Sequence, residues 1–71
     1  MSLRNLQGRL DALVADMIRG GIRMDEAVRE LECHFLRQTL ERHHGNQSKA
    51  AASLGIHRNT LRNKMQRCGL L

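Results

Sequence analysis

The side chains with most chemistry to offer lie between Asn46 and Arg67. Asn46, Ser48 and Lys49 fall in one short stretch; His57, Arg58, Asn59, Thr60, Arg62, Asn63, Lys64 and Arg67 fall in the next. Guanidinium, ammonium and carboxamide groups at helical spacing do not make or break bonds. They donate hydrogen bonds to planar acceptor edges and bring charge to anions. An arginine can grip the O6/N7 edge of a guanine with two parallel bonds, and an asparagine matches adenine in the same way. Arg58 suits the first task and Asn59 or Asn63 the second. A helix that begins at Asn46 turns its unbonded N–H groups and its dipole toward a phosphate. Lys49, Lys64, Arg67 and Arg42 add charge there. Binding carried by such charge weakens steeply with salt.

Other reactive side chains form no comparable pattern. Cys33, His34, His43, His44 and Cys68 could ligate zinc, but Cys33-His34 and His43-His44 are adjacent pairs that splay around a helix. No metal and no cofactor is expected. Cys68 reads as core, His43 and His44 as the closing turn of a helix, and His57 as a groove residue beside an N-cap. With few carboxylates, no Gly-rich phosphate loop and no nucleophile–base pattern, the chain reads as no enzyme and has no small-molecule substrate. RNA is disfavoured because the single aromatic residue, Phe35, is expected inside. Two cysteines are too few for a disulfide framework. No apolar run approaches membrane-spanning length, and no signal-peptide pattern opens the chain. The expectation is a cytosolic protein with free thiols and no membrane contact, working on the nucleoid.

Positioning these groups falls to helices. The 71 residues include only three Ile, two Val and two Thr, a poor supply for a sheet. Leu3, Leu6, Leu10, Leu13 and Met17 are spaced alternately by three and four, which predicts a first helix over 3–19 with an a/d seam. Gly20-Gly21 stops it. A second helix starts near 23–25, carries Val28, Leu31, Phe35, Leu36 and Leu40 as its apolar stripe, and ends with Arg42, His43 and His44 before Gly45. Asn46 is a good N-cap for a short third helix, Gln47 to Leu54, which Gly55 breaks. A fourth helix follows His57 and runs to about Cys68. Its buried stripe is Leu61, Met65 and Cys68, which leaves Asn59, Arg62, Asn63 and Gln66 pointing outward.

The third and fourth helices have the spacing of a helix-turn-helix. Ala51 permits a close helix crossing, Gly55 permits the sharp turn, and Ile56 and Leu61 pin the fourth helix onto the third. Charge follows the same division. Five arginines meet six carboxylates in residues 1–35, whereas residues 36–71 hold seven Lys and Arg against Glu41 alone. A basic half joined to a nearly neutral half is the footprint of a polyanion binder.

Gly45-Asn46-Gln47-Ser48-Lys49-Ala50-Ala51, Leu54-Gly55-Ile56, Arg58-Asn59-Thr60-Leu61-Arg62 and Cys68-Gly69-Leu70 together resemble the Fis-type helix-turn-helix family. That family includes a bacterial nucleoid protein and the C-terminal domains of NtrC-type activators. The close match covers 45–70; the helical pair before it matches in architecture and only loosely in sequence. The resemblance implies an intertwined dimeric core built by the first two helices, and paired recognition helices that enter successive major grooves and bend the DNA. It implies phosphate contacts from Asn46, Ser48 and Lys49, and groove contacts from Arg58, Thr60, Arg62, Asn63 and Lys64. His57 stands where the nucleoid protein has Asn, and Asn63 where it has Lys. Asn59-Thr60-Leu61 is closer to the activator branch. The chain is expected to start too late for the family's recombinase-stimulating hairpin and to leave no room for an activator's ATPase and receiver domains. It is expected to be a stand-alone regulator or an excised terminal domain.

The resulting expectation is an all-α protein forming one compact domain, with 1–44 as a helical dimerisation region and 45–71 as the helix-turn-helix. Leu3, Leu6, Leu10, Leu13, Met17, Val28, Leu31 and Phe35 are assigned to the dimer interface, since one short chain has little else to cover two long apolar faces. The expected partners are double-stranded DNA and a second copy, with the transcription machinery or a missing activator domain beyond them. The rival readings are a low-specificity nucleoid-architectural protein and a helical adaptor whose basic face meets an acidic protein.

Overall fold

Four helices form where the apolar spacing places them. In the computed structural model, which describes residues 2–71, α1 spans Leu3–Arg19, α2 Met24–Arg42, α3 Gln47–Leu54 and α4 Arg58–Arg67. There is no strand among the described residues, so the protein is all-α as expected. Met1, the first residue of the expected dimerisation region, lies outside the described residues. No described helix is long and apolar enough to cross a membrane.

Local chemistry sets the helix ends. The Ser2 hydroxyl accepts the Asn5 N–H at 3.3 Å and opens α1. At the start of α2 the Arg23 N–H donates to Glu26 Oε1 at 3.4 Å. The other end of α2 differs from expectation. The helix closes at Arg42 with His43 as its cap, and His44 already lies beyond it in the left-handed region, at φ 54°. Gly45 follows at φ 80°. Two left-handed residues in succession reverse the chain so that α3 folds back on α2. Gly bears this conformation freely, whereas a side-chain-bearing residue pays about 1 kcal/mol for it.

The buried core consists of Leu36 from α2, Ala50 and Ala51 from α3, and Leu61 and Met65 from α4. Leu40, Leu54, Ile56, Cys68 and Leu70 pack around it. Ala50 and Ala51 end at Cβ, which lets both neighbouring helices approach α3 closely. This core crosses the expected boundary at 44/45, because Leu36 and Leu40 join α2 to the helix-turn-helix.

The apolar stripe of α2 is really two stripes. Leu36 faces α3 and α4. At roughly 100° per residue, Val28, Leu31 and Phe35 fall on another side of the helix. Phe35, expected inside, is 60% exposed, because a single helix cannot turn both stripes to the same neighbour. Helix α1 has no buried residue at all. Its poor packing shows in the Cα radius of gyration, 13.9 Å, against about 11 Å for a compact chain of this length.

The cysteines also depart from expectation. Cys33 of α2 and Cys68 at the end of α4 form a disulfide that links residues 35 apart, with their Cα atoms 5.5 Å from each other. Cys68 is therefore a half-buried cross-link rather than a core thiol, and neither sulfur is free. The expectation of free thiols rested on the number of cysteines. What overturns it is the packing of α4 against α2, which brings the only two into register.

Candidate nucleic-acid interface

Two helix N-termini define the candidate surface. At the first, Asn46 Oδ1 accepts the Lys49 N–H at 3.0 Å, so Asn46 caps α3 as its type and position suggest. The N–H groups of Gln47 and Ser48 have no acceptor within the helix by virtue of their position. Ser48 and Lys49 are exposed beside them. At the second, His57 is the N-cap itself, its Nδ1 accepting the Asn59 N–H at 3.1 Å.

The αL conformation of Gly55, at φ 72°, sets the angle between these two helices. Ile56 then donates its N–H to Ala51 O at 3.0 Å and closes the turn. A Cβ at position 55 would meet nothing within 4 Å, so glycine is required here by backbone conformation and not by lack of room. Leu61, at 0% exposure, and Met65 anchor the inner face of α4. As a consequence Arg58, Asn59, Thr60, Arg62, Asn63, Gln66 and Arg67 all lie on the exposed surface.

One hydrogen bond joins the two N-terminal regions. Arg62 Nη1 donates to Gln47 Oε1 at 3.3 Å, so the outer face of α4 and the first turn of α3 form one continuous polar surface. Arg58 has no carboxylate partner among the described residues and is left available to an external acceptor. Arg42, at the end of α2, is exposed as well.

Lys64 is placed differently from its neighbours. Its ammonium pairs with the Glu32 carboxylate of α2 in a half-buried contact, with side chains 27% and 41% exposed respectively. The hydrogen bond from Lys64 holds the Glu32 carboxyl below its ordinary pKa. Partial burial opposes this, and the charges of Lys64 and Arg67 add to it. Lys64 thus braces α4 against α2 and is turned away from the surface that Arg58 and Arg62 share. Local sequence gives no sign of this pairing, since 32 residues separate the partners. The role of Gln47 also escapes a reading by residue type, because its carboxamide gains a partner only when α4 lies across α3.

The dimerisation candidates lie mostly on the exposed surface. Leu3, Leu6, Leu10 and Leu13 are all about half exposed or more along α1, as are Val28, Leu31 and Phe35 on α2, while Met17 is half-buried. Among the described residues no three His, Cys, Asp or Glu side chains gather as metal ligands do.

Comparison with known proteins follows the same lines. The family model of bacterial regulatory proteins of the Fis family matches residues 27–67. The chain is 52% identical over 44 residues to a protein of Xylella fastidiosa strain Temecula1 named as a Fis-like DNA-binding protein, covering 62% of this chain and 49% of that one. A Ralstonia nicotianae protein of the same designation is 40% identical over 68 residues, or 96% of this chain and 77% of that one. The chain spans about half the length of the Xylella relatives it matches. No solved structure matches it.

Proposed function

The chain belongs to the Fis family of bacterial regulatory proteins, and from that membership we propose that it binds duplex DNA as a homodimer and regulates transcription. One observation carries the reading. The turn at Gly55 and the buried pair Leu61 and Met65 hold α4 so that Arg58, Asn59, Thr60, Arg62 and Asn63 stay exposed, none of them committed to a carboxylate. The leading end of α4 enters the major groove. Arg58 reads a guanine edge, and Asn59 or Asn63 reads adenine. His57 serves the groove indirectly by capping that end. The start of α3, with Asn46, Ser48 and Lys49, grips a phosphate, and Arg67 and Arg42 contribute charge farther out.

The partner that completes the molecule is a second copy. Leu3, Leu6, Leu10, Leu13 and Met17 of α1, with Val28, Leu31 and Phe35 of α2, cover one another across a two-fold axis. Two recognition helices then address half-sites about one helical turn apart and bend the duplex between them. The protein acts as a binding module and not as a catalyst, in the cytoplasm on the nucleoid. Contacts with the transcription machinery, or with an activator domain in the same polypeptide, would convert binding into regulation.

Selection of binding sites from random duplexes, with sizing of the complex in the same buffer, tests the reading. A roughly palindromic site occupied by two chains is expected, with affinity falling steeply as salt rises. Enrichment of no sequence would favour the architectural alternative. Absence of binding even at low salt would favour the adaptor.

A further inference from the structure

The disulfide lies in a telling place. Cys33 follows Glu32 on α2, and Cys68 lies one turn beyond Lys64 on α4. A covalent bond and an ion pair therefore bridge the same two helices side by side. Both act on the trailing half of α4, while the leading end carries Arg58 and Asn59. Leu61 is the buried pivot between them. Tying down the trailing end limits how far α4 can swing about that pivot, and so limits where the leading end points.

Both cysteines are half-buried and line an open cleft of about 530 Å³ between α2 and α4. Arg29, Lys64 and Arg67 share this cleft with Asp25 and Glu32. The cleft gives a small thiol an approach to the bond from outside, while Leu61 and Met65 stay buried against Leu36, Ala50 and Ala51.

We propose that the Cys33–Cys68 bond is a reversible redox switch for DNA binding, opened by a dithiol reductant. The proposal rests on the DNA-binding reading above. A thiolate of the reductant attacks one cysteine Sγ and forms a mixed disulfide, and the other cysteine leaves as a thiolate and takes up a proton. The reductant's second thiol loses its proton and displaces the first cysteine, which is protonated in turn. The reductant ends as a disulfide, and Cys33 and Cys68 have gained two electrons and two protons. In a reducing cytoplasm a disulfide persists as a transient, sensing element rather than a permanent staple. Closed, the bond pre-sets the recognition helix; open, α4 must be ordered again by each DNA site it binds.

The test uses the whole chain and a selected duplex at fixed salt. Thiol titration should find no free thiol after mild oxidation and two after dithiothreitol. Fluorescence anisotropy should give affinity about tenfold weaker for the reduced protein, the cost of ordering a helix that is no longer preset. The double variant C33S/C68S should bind like the reduced protein and ignore dithiothreitol. Amide exchange across α4 should be slower in the oxidised form, with circular dichroism establishing that reduction leaves the helices intact. Two free thiols after oxidation, or equal affinity in both forms, overturns the switch and leaves DNA binding standing. Binding by neither form, with α4 exchange still responding to dithiothreitol, overturns the DNA-binding reading and the switch together.

Discussion

Helix α1 and helix α4 are both amphipathic, and their apolar stripes are equally plain in the sequence, yet the chain buries one and leaves the other bare. Leu61 and Met65 of α4 close against Ala50, Ala51 and Leu36. The longer seam of α1, with four leucines, has no buried residue, and among the described residues its leucines are all about half exposed or more. Stripe length therefore does not decide which surface is core. Opposing surface does, and α3 supplies it for α4 through two alanines that admit close approach. One face of α2, with Val28, Leu31 and Phe35, is likewise left exposed, and on the proposed reading it joins α1 against the second copy.

Truncation at the two sites separates these roles most sharply. Leu61→Ala should destabilise the fold by about 2–5 kcal/mol, enough to threaten a small domain, whatever the protein concentration. Leu10→Ala should cost far less in a dilute monomer. Its cost should grow as concentration rises and the second copy closes the seam. Urea unfolding across a hundredfold range of concentration checks both. A concentration-independent loss at Leu10 equal to that at Leu61 would erase the distinction between core and interface.

Next in size is a change on the exposed side of α4, where truncation should spare the fold and damage recognition. Arg58→Ala should lower affinity for the preferred site by about 1–3 kcal/mol and relax the base preference at one position in each half-site. Its unfolding midpoint should stay close to that of the parent. Quantitative binding to the selected duplex and to single-base variants reads the effect. An equal loss on every duplex would make Arg58 a phosphate contact.

Much of this organisation is legible in the residues. The 3–4 spacing of apolar side chains places α1, and Asn46 and Gly55 mark the cap and the turn around α3, whereas His57 reads as a groove residue beside an N-cap and is the cap itself. The outward face of α4 follows from counting positions from Leu61. What stays hidden depends on residues distant in sequence. Glu32 and Cys33 find Lys64 and Cys68 only because α4 crosses α2, and nothing local to either segment encodes that crossing. Phe35 misleads for a related reason. Its residue type argues for burial, but burial requires a neighbour, and among the described residues none covers its side of α2.

A smaller effect tests whether the leading end of α4 is as firmly set as its buried face. His57→Ala removes the acceptor for the Asn59 N–H and should cost about 1 kcal/mol in stability, with a matching loss in binding, since the same turn carries Arg58. His57→Asn restores an acceptor and should recover most of both. Paired urea and anisotropy measurements on the two variants decide it. Loss in both variants alike would assign the imidazole a direct part at the groove.

The smallest effect concerns the brace between Glu32 and Lys64, and its sign can be worked out. The folded carboxyl has a lowered pKa, chiefly through its hydrogen bond with Lys64. Above the ordinary glutamate value, about 4.3, the brace contributes in full. As pH falls through that value and then through the lowered one, the folded state must take up the proton it had resisted and the contribution disappears. The contact is partly exposed and screened, so its size is modest. Glu32→Gln should therefore be slightly less stable than the parent near neutrality and equal to it in acid. Unfolding midpoints of the two proteins at matched pH values measure the difference directly, and other titrating groups cancel between them. A gap that persists unchanged into acid would mean that the carboxylate charge does not hold α4, and that the disulfide alone sets the trailing end of the recognition helix.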